Sequence, residues 1–195
     1  MNQFVLASSS PRRAEILKGL KIDFDVIASN VEEKFTKNIP CEIVNDLALS
    51  KAKDVSSKVG RKKIIIAADT IVYRDGVILG KPASRDDAYN MLKMLSGSSH
   101  KVMTGLCIID NRYDKIYQEH EETTVYFKEL SDIEIWNYID TGEPMDKAGS
   151  YGIQGFGGLF VEKIDGCYFN VVGLPIHKFY LMMGKIGVNL LVREV

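Results

Sequence analysis

Apolar and polar positions along the chain follow two periods, and the switches between them mark out its elements. Phe4-Val5-Leu6-Ala7 is an unbroken apolar run that suits a short buried strand, and from Pro11 to Leu20 the residues Ala14, Ile16, Leu17 and Leu20 recur at helical spacing. Ser10 stands at the N-cap position of that helix, and Pro11 fits its first turn, where a missing N–H costs nothing. A second helix is predicted over Cys41 to Lys58, with a stripe of Val44, Leu47, Ala48, Ala52 and Val55. Lys63 to Ala68 reads as a buried strand, and the Asp75-Gly76 pair that follows is a hairpin signal. Ser84-Arg85-Asp86-Asp87 opens a helix with Ala88, Met91, Leu92 and Leu95 on one face and Gly97 as its stop. Strands are predicted near Lys101 to Ile109 and Ile116 to Lys128. Ser131-Asp132-Ile133-Glu134 has the capping-box pattern and opens a helix ending near Gly142. A glycine-rich loop, a hairpin turning at Asp165-Gly166 and a last helix from Ile176 complete the chain. With strands and helices intermixed and neither repeat nor linker in sight, the pattern predicts one α/β domain over residues 1–195 with a mixed sheet.

Composition narrows the function classes. Of the 195 residues, 46% are hydrophobic, enough for a substantial core, and the formal net charge of -1 comes from basic and acidic residues that are interleaved. No long basic surface for nucleic acid is expected, whereas a small anionic ligand needs only a local cluster of cations. No apolar stretch approaches the roughly 20 residues of a membrane span, and the segment Met1 to Phe4 lacks the basic start of a secretory signal. A cytoplasmic protein without a membrane partner is therefore expected. Cys41, Cys107 and Cys167 are odd in number and far apart, which suits reduced core cysteines.

Against this background, several polar residues are out of place. In Leu6-Ala7-Ser8-Ser9-Ser10-Pro11-Arg12-Arg13, three hydroxyls and two arginines crowd the turn between a strand and a helix N-terminus. Free N–H groups and the positive end of the helix dipole make such a turn a seat for an anion. The hydroxyls of Ser8, Ser9 and Ser10 and the guanidinium forks of Arg12 and Arg13 add the chemistry of a phosphate cradle. Solvated arginines beside a capping serine are the plainer alternative. Lys51 falls in the middle of the apolar stripe of the second helix, where it either snorkels to the edge or reaches into an anion site. Asp69 closes the run Ile64 to Ala68, and a carboxylate at a strand end can hold a divalent ion, act as a base or cap a turn. Gly80-Lys81-Pro82 is not a P-loop, since the glycine spacing is wrong and Pro82 stands where Ser or Thr is required, but Lys81 can supply a positioned ammonium. Glu32-Glu33 is either a solvated acidic pair or, with Asp69, an oxygen-ligand magnesium site. The glycines between Asp146 and Gly158 permit close approach to a ligand or serve as a flexible connector. His100, His120 and His177 carry no catalytic pattern and are expected to be structural.

Taken in order, LASSSPRR, AADT, the GKP turn, LSG followed by His100, and DKAGSYGIQG resemble the Maf family of nucleoside triphosphate pyrophosphatases from about Leu6 to Pro175. The chain has AADT where many relatives have GADT. The resemblance implies an elongated two-lobed fold, with a central twisted mixed sheet flanked by helices, a cleft between the lobes and a homodimer. It also implies hydrolysis of a nucleoside triphosphate to the monophosphate and pyrophosphate with Mg2+ or Mn2+. Carried over by motif, Asp69 is the proton acceptor, and Arg12, Arg13, Lys51 and Lys81 bind phosphate. Glu33 holds the metal together with Asp69, and Ser8 and Lys147 join the substrate-binding set. Arg12, Thr70 and Gln154 are associated with substrate choice. The GIQG and Asp69-Thr70 pairs resemble the branch acting on dTTP and UTP rather than that acting on 7-methyl-GTP. A nucleotide-sensing regulator of cell division with little turnover is the alternative from a different class.

Overall fold

In a computed structural model of the chain, residues 3–32 and 37–192 are described. Strands β1 (Phe4–Leu6), β2 (Phe24–Val26), β3 (Ile64–Arg74), β4 (Val77–Leu79), β5 (Ser99–Asp110), β6 (Lys115–Phe127) and β7 (Val161–Asp165) form one sheet. Its hydrogen-bonded order is β2-β1-β3-β5-β6-β7, with β4 attached to β3. β1 runs parallel to β2 and β3, whereas β4 is antiparallel to β3 and β7 to β6, so the sheet is mixed as expected. The helices are α1 (Pro11–Gly19), α2 (Pro40–Ser56), α3 (Arg85–Leu95), α4 (Asp132–Asp140), α5 (Tyr168–Val172) and α6 (Ile176–Lys185). No helix among the described residues is long and apolar enough to cross a membrane.

Two compact units divide the chain. The first comprises Met1–Asp69, Thr104–Glu121 and Gly173–Val195, and the second Thr70–Met103 and Glu122–Val172. In the first unit the two-residue period of the strands turns Val5, Ala7, Ile65, Ala67, Cys107 and Ile109 to one face, where they pack with Ala48, Ala52 and Val55 of α2. Gly105 lies on the same face, and a Cβ there would run into the carbonyl of Val44, so a glycine lets α2 settle onto β5. In the second unit Ala88, Leu92 and Leu95 of α3, spaced for one helical face, share a core with Ile135, Tyr138 and Ile139 of α4 and with Val72, Val125 and Phe127.

Most local signals act as anticipated. Ser84 and Ser131 accept the amides of Asp87 and Glu134, and Glu134 completes the capping box. Asp75 and Gly76, with φ of 49° and 86°, form the left-handed pair that a tight hairpin needs, closed by the pair Arg74↔Val77. Four expectations are corrected. β3 does not stop before Asp69 but continues to Arg74, because the ladder with β4 extends it and the pleat gives the carboxylate a face of its own. Asp165-Gly166 is not a hairpin turn: β7 ends at Asp165, its partner β6 precedes it, and the chain enters α5 after the hydroxyl of Thr123 accepts the Cys167 amide at 3.0 Å. Ser10 occupies the N-cap of α1 without a side-chain capping bond, its own amide donating instead to Ser8 Oγ at 3.2 Å. Of the three free cysteines only Cys107 is fully buried, in surroundings that push its thiol up to about 12, while Cys41 and Cys167 are half-buried.

Candidate active site

The turn after β1 is organised around Ser8. Its buried Oγ accepts both the Ser10 amide and Nη1 of Arg13, the latter at 3.1 Å, while Nε of Arg13 donates to the Gly173 carbonyl at 2.8 Å. Arg13 is 9% exposed, so its fork is largely committed to bracing this turn. Arg12, beside it at the start of α1, is half-buried. The first turn of α1 carries no acidic residue, so the positive end of the helix is reinforced by two guanidiniums rather than offset.

The parallel register Leu6↔Ile66, extended by the bond from the Ala7 amide to the Ile66 carbonyl, brings Ser8 level with Ala68 and next to the position of Asp69. Asp69 follows Ile65 and Ala67 in the strand alternation and so emerges on the face that α2 covers. There it meets Lys51, whose ammonium pairs with Oδ1 of Asp69, with the two side chains 15% and 8% exposed. Both polar exceptions in their apolar stretches thus resolve into one ion pair. Thr70 is turned by the same alternation to the opposite face from Asp69. Glu33 lies outside the described residues, and Glu32 is exposed.

In the second unit the glycine-rich segment is not a loose connector. Gly149 donates its amide to the Gly80 carbonyl at 3.0 Å, tying the segment to the turn that carries the exposed Lys81. Gly149 (φ 69°) and the buried Ser150 (φ 58°) are consecutive left-handed residues, and a Cβ on Gly149 would meet Val72 at 2.8 Å. Holding a serine in that region costs roughly 1–3 kcal/mol, a strain tolerated where the surroundings over-determine it. The Lys147 ammonium is bonded to the Glu143 carbonyl and to Asp146, each at 2.7 Å, and its stem fills the space a Cβ on Gly152 would need. Gln154 is exposed in the turn closed by the Gly155 amide on the Gly152 carbonyl at 3.3 Å.

Glu143 and Tyr138 belong to none of the sequence motifs above. Oε1 of Glu143 accepts the Tyr138 hydroxyl at 2.9 Å and the Gly157 amide at 3.2 Å, and Oε2 accepts the Phe156 amide at 2.9 Å. Burial alone would raise the Glu143 pKa. The two amides, the hydroxyl and the nearby Lys147 outweigh it and hold the carboxyl below its ordinary value. Its only local signal is a place between Gly142 and Pro144, which marks a turn and says nothing of partners 13 and 14 residues away. His100 is buried, with Nε2 2.8 Å from the Tyr151 hydroxyl and edge-to-face contacts to Phe127 and Tyr151, consistent with a structural role.

The family model described as Maf-like protein matches residues 3–186. The chain belongs to the Maf family. A relative from Caldicellulosiruptor bescii named dTTP/UTP pyrophosphatase is 48% identical to this Maf-family chain, with 100% of each covered. Relatives of the same name from Alkaliphilus oremlandii and Clostridium tetani are each 53% identical, covering 98% and 96% of this chain and 100% and 99% of their own. Among solved structures, a HAM1 protein from Coxiella burnetii overlaps in part, with a TM-score of 0.43 and 17% identity over 65% of this chain and 73% of that one.

Proposed function

We propose that this Maf-family protein hydrolyses dTTP and UTP to the nucleoside monophosphate and pyrophosphate in the cytoplasm, as a homodimer. The observation that carries the chemistry is the Lys51–Asp69 pair, a carboxylate held on the face of β3 by a lysine from α2 and one position beyond the level of the Ser8 turn. The substrate assignment draws on full-length relatives at about half identity that carry this name.

A triphosphate needs cations along its length, and Arg12 and Lys81 supply them in this reading, with Lys51 both orienting Asp69 and facing the same charge. Arg13 contributes chiefly by holding Ser8, whose turn and helix N-terminus receive a phosphate. Lys147 acts beside the nucleotide, and Gln154 acts in choosing the base. Water attacks the α-phosphorus, and Asp69 takes the proton it loses. The bond from the α-phosphorus to the bridging oxygen breaks, and pyrophosphate leaves with the electron pair.

Magnesium or manganese at such a site uses one or two carboxylates and completes its shell with phosphate and water oxygens. Among the described residues no group of three or more His, Cys, Asp or Glu could hold an ion unaided, while Asp69 presents a carboxylate, a donor set suited to an ion that arrives with the triphosphate. Asp69, and Glu33 as second carboxylate, would hold it. Bound there, the ion would offset the charge that develops on the phosphates.

The deciding experiment incubates the purified protein with dTTP and either metal and identifies the products. dTMP with pyrophosphate is expected. dTDP with orthophosphate would mean the wrong bond was assigned, and nucleotide binding without turnover would favour a sensor.

A further inference from the structure

In the second unit a single carboxylate clamps both ends of the segment that carries Gln154. The Tyr138 hydroxyl, which donates to Glu143 Oε1, accepts the Gly152 amide at 3.2 Å, and the same carboxylate takes the amides of Phe156 and Gly157 directly. Only Ile153, Gln154 and Gly155 lie between these ties. The glycines are also explained by the clamp. A Cβ on Gly155 would collide with the Glu143 carboxylate, and one on Gly157 would lie 2.6 Å from the Tyr138 hydroxyl. Glycine is needed here so that the clamp can approach, rather than for looseness. Tyr138 is itself fixed by edge-to-face packing on Phe160, with ring centroids 5.0 Å apart.

We infer that Glu143 is the positioning residue for base selection: its carboxylate, with Tyr138, holds the Gly152–Gly158 turn in the one shape that presents the Gln154 amide to the base. This rests on the reading of Gln154 as the group that recognises thymine and uracil. An amide discriminates uracil from cytosine only when its donor and acceptor are fixed, because a free side chain can rotate to suit either edge. Anchoring a short turn at both ends fixes the backbone from which Gln154 reaches, and so restricts where its amide can meet the base.

Glu143→Gln keeps the side-chain volume but replaces one acceptor oxygen with an NH2 that cannot accept the amide or hydroxyl facing it. Tyr138→Phe keeps the ring packing and removes only the bridging hydroxyl, which covers the case in which the first variant folds poorly. Both are compared with the wild type and Gln154→Ala in the full-length protein. Amide hydrogen exchange is followed at Phe156 and Gly157, and kcat and KM are measured for dTTP, UTP and CTP. The expected result for Glu143→Gln is about tenfold faster exchange at those two amides. The dTTP-to-CTP ratio of kcat/KM should fall about tenfold, approaching that of Gln154→Ala, with the loss carried mainly by a higher KM for dTTP. Tyr138→Phe should move both readouts in the same direction by a smaller factor. Faster exchange with an unchanged ratio would show that the clamp is only structural, and unchanged exchange would show that it is no clamp; either overturns the proposal. A wild type that hydrolyses neither dTTP nor UTP overturns the functional reading and the base-selection role with it, while the exchange data still report on the clamp.

Discussion

Asp69 is a carboxylate within a strand whose preceding five residues are all apolar and buried, and it is tolerated there because Lys51 meets it. Replacing it with asparagine keeps its shape and its ability to hydrogen-bond but removes the proton acceptor. General-base contributions are typically ~10²–10⁴-fold. Asp69→Asn should therefore lower kcat for dTTP by about that factor, with circular dichroism showing the fold retained. A variant turning over at near the wild-type rate would dismiss the role assigned to the carboxylate. Arg13 makes the complementary point at this scale. Two adjacent arginines look equivalent in the sequence, yet one is nearly buried against Ser8 and the Gly173 carbonyl and the other is half-buried at the helix start.

At the scale of elements, the position of Lys51 depends on how closely α2 lies on the sheet. That approach passes over Gly105, where even a methyl group would enter the backbone of Val44 and Asn45. Backbone cannot swing aside as a side-chain terminus does, so Gly105→Ala must push the helix away from β5. Overpacking costs about 1–3 kcal/mol, and the upper end applies where the obstacle is backbone. For a protein of this size a loss of about 3 kcal/mol lowers Tm by roughly 6–12 °C, a shift readable by thermal denaturation. Unchanged stability would mean that α2 and β5 are not in the contact described. The glycine carries no functional motif, yet it governs the distance across which a lysine reaches its carboxylate.

For the molecule as a whole, acid stability is set in part by a group outside the proposed chemistry. Burial first, and the charge of Arg74 second, lower the His100 pKa from 6.5 to about 4. Between those values the unfolded chain binds a proton that the folded chain refuses. Stability is then fully present above pH 6.5 and is lost as the pH falls towards 4, by about 2–3 kcal/mol at pH 4.5. The carboxyls of Asp110 and Glu143, both held low, add losses of the same sign. Urea unfolding at pH 7 and pH 4.5 should show a pH dependence smaller by about 2–3 kcal/mol in His100→Asn than in the wild type, and equal dependences would discount the histidine. Much of this molecule is legible from local order alone. The strand-to-helix start, the Asp75-Gly76 hairpin, the caps at Ser84 and Ser131, and the place of Lys51 on an apolar stripe follow from preferences acting over a few residues, and the motif order identified the family. What lay beyond that reach is of another kind. The continuation of β3 past Asp69 depends on β4 as its partner, and the route after Asp165 depends on Thr123, 42 positions earlier. The meeting of Lys51 with Asp69 and of Glu143 with the amides of Phe156 and Gly157 also depends on packing. Periodicity specifies which face a side chain occupies, but a hydrogen bond between distant residues exists only once the faces are packed, and that distance is settled by tertiary structure.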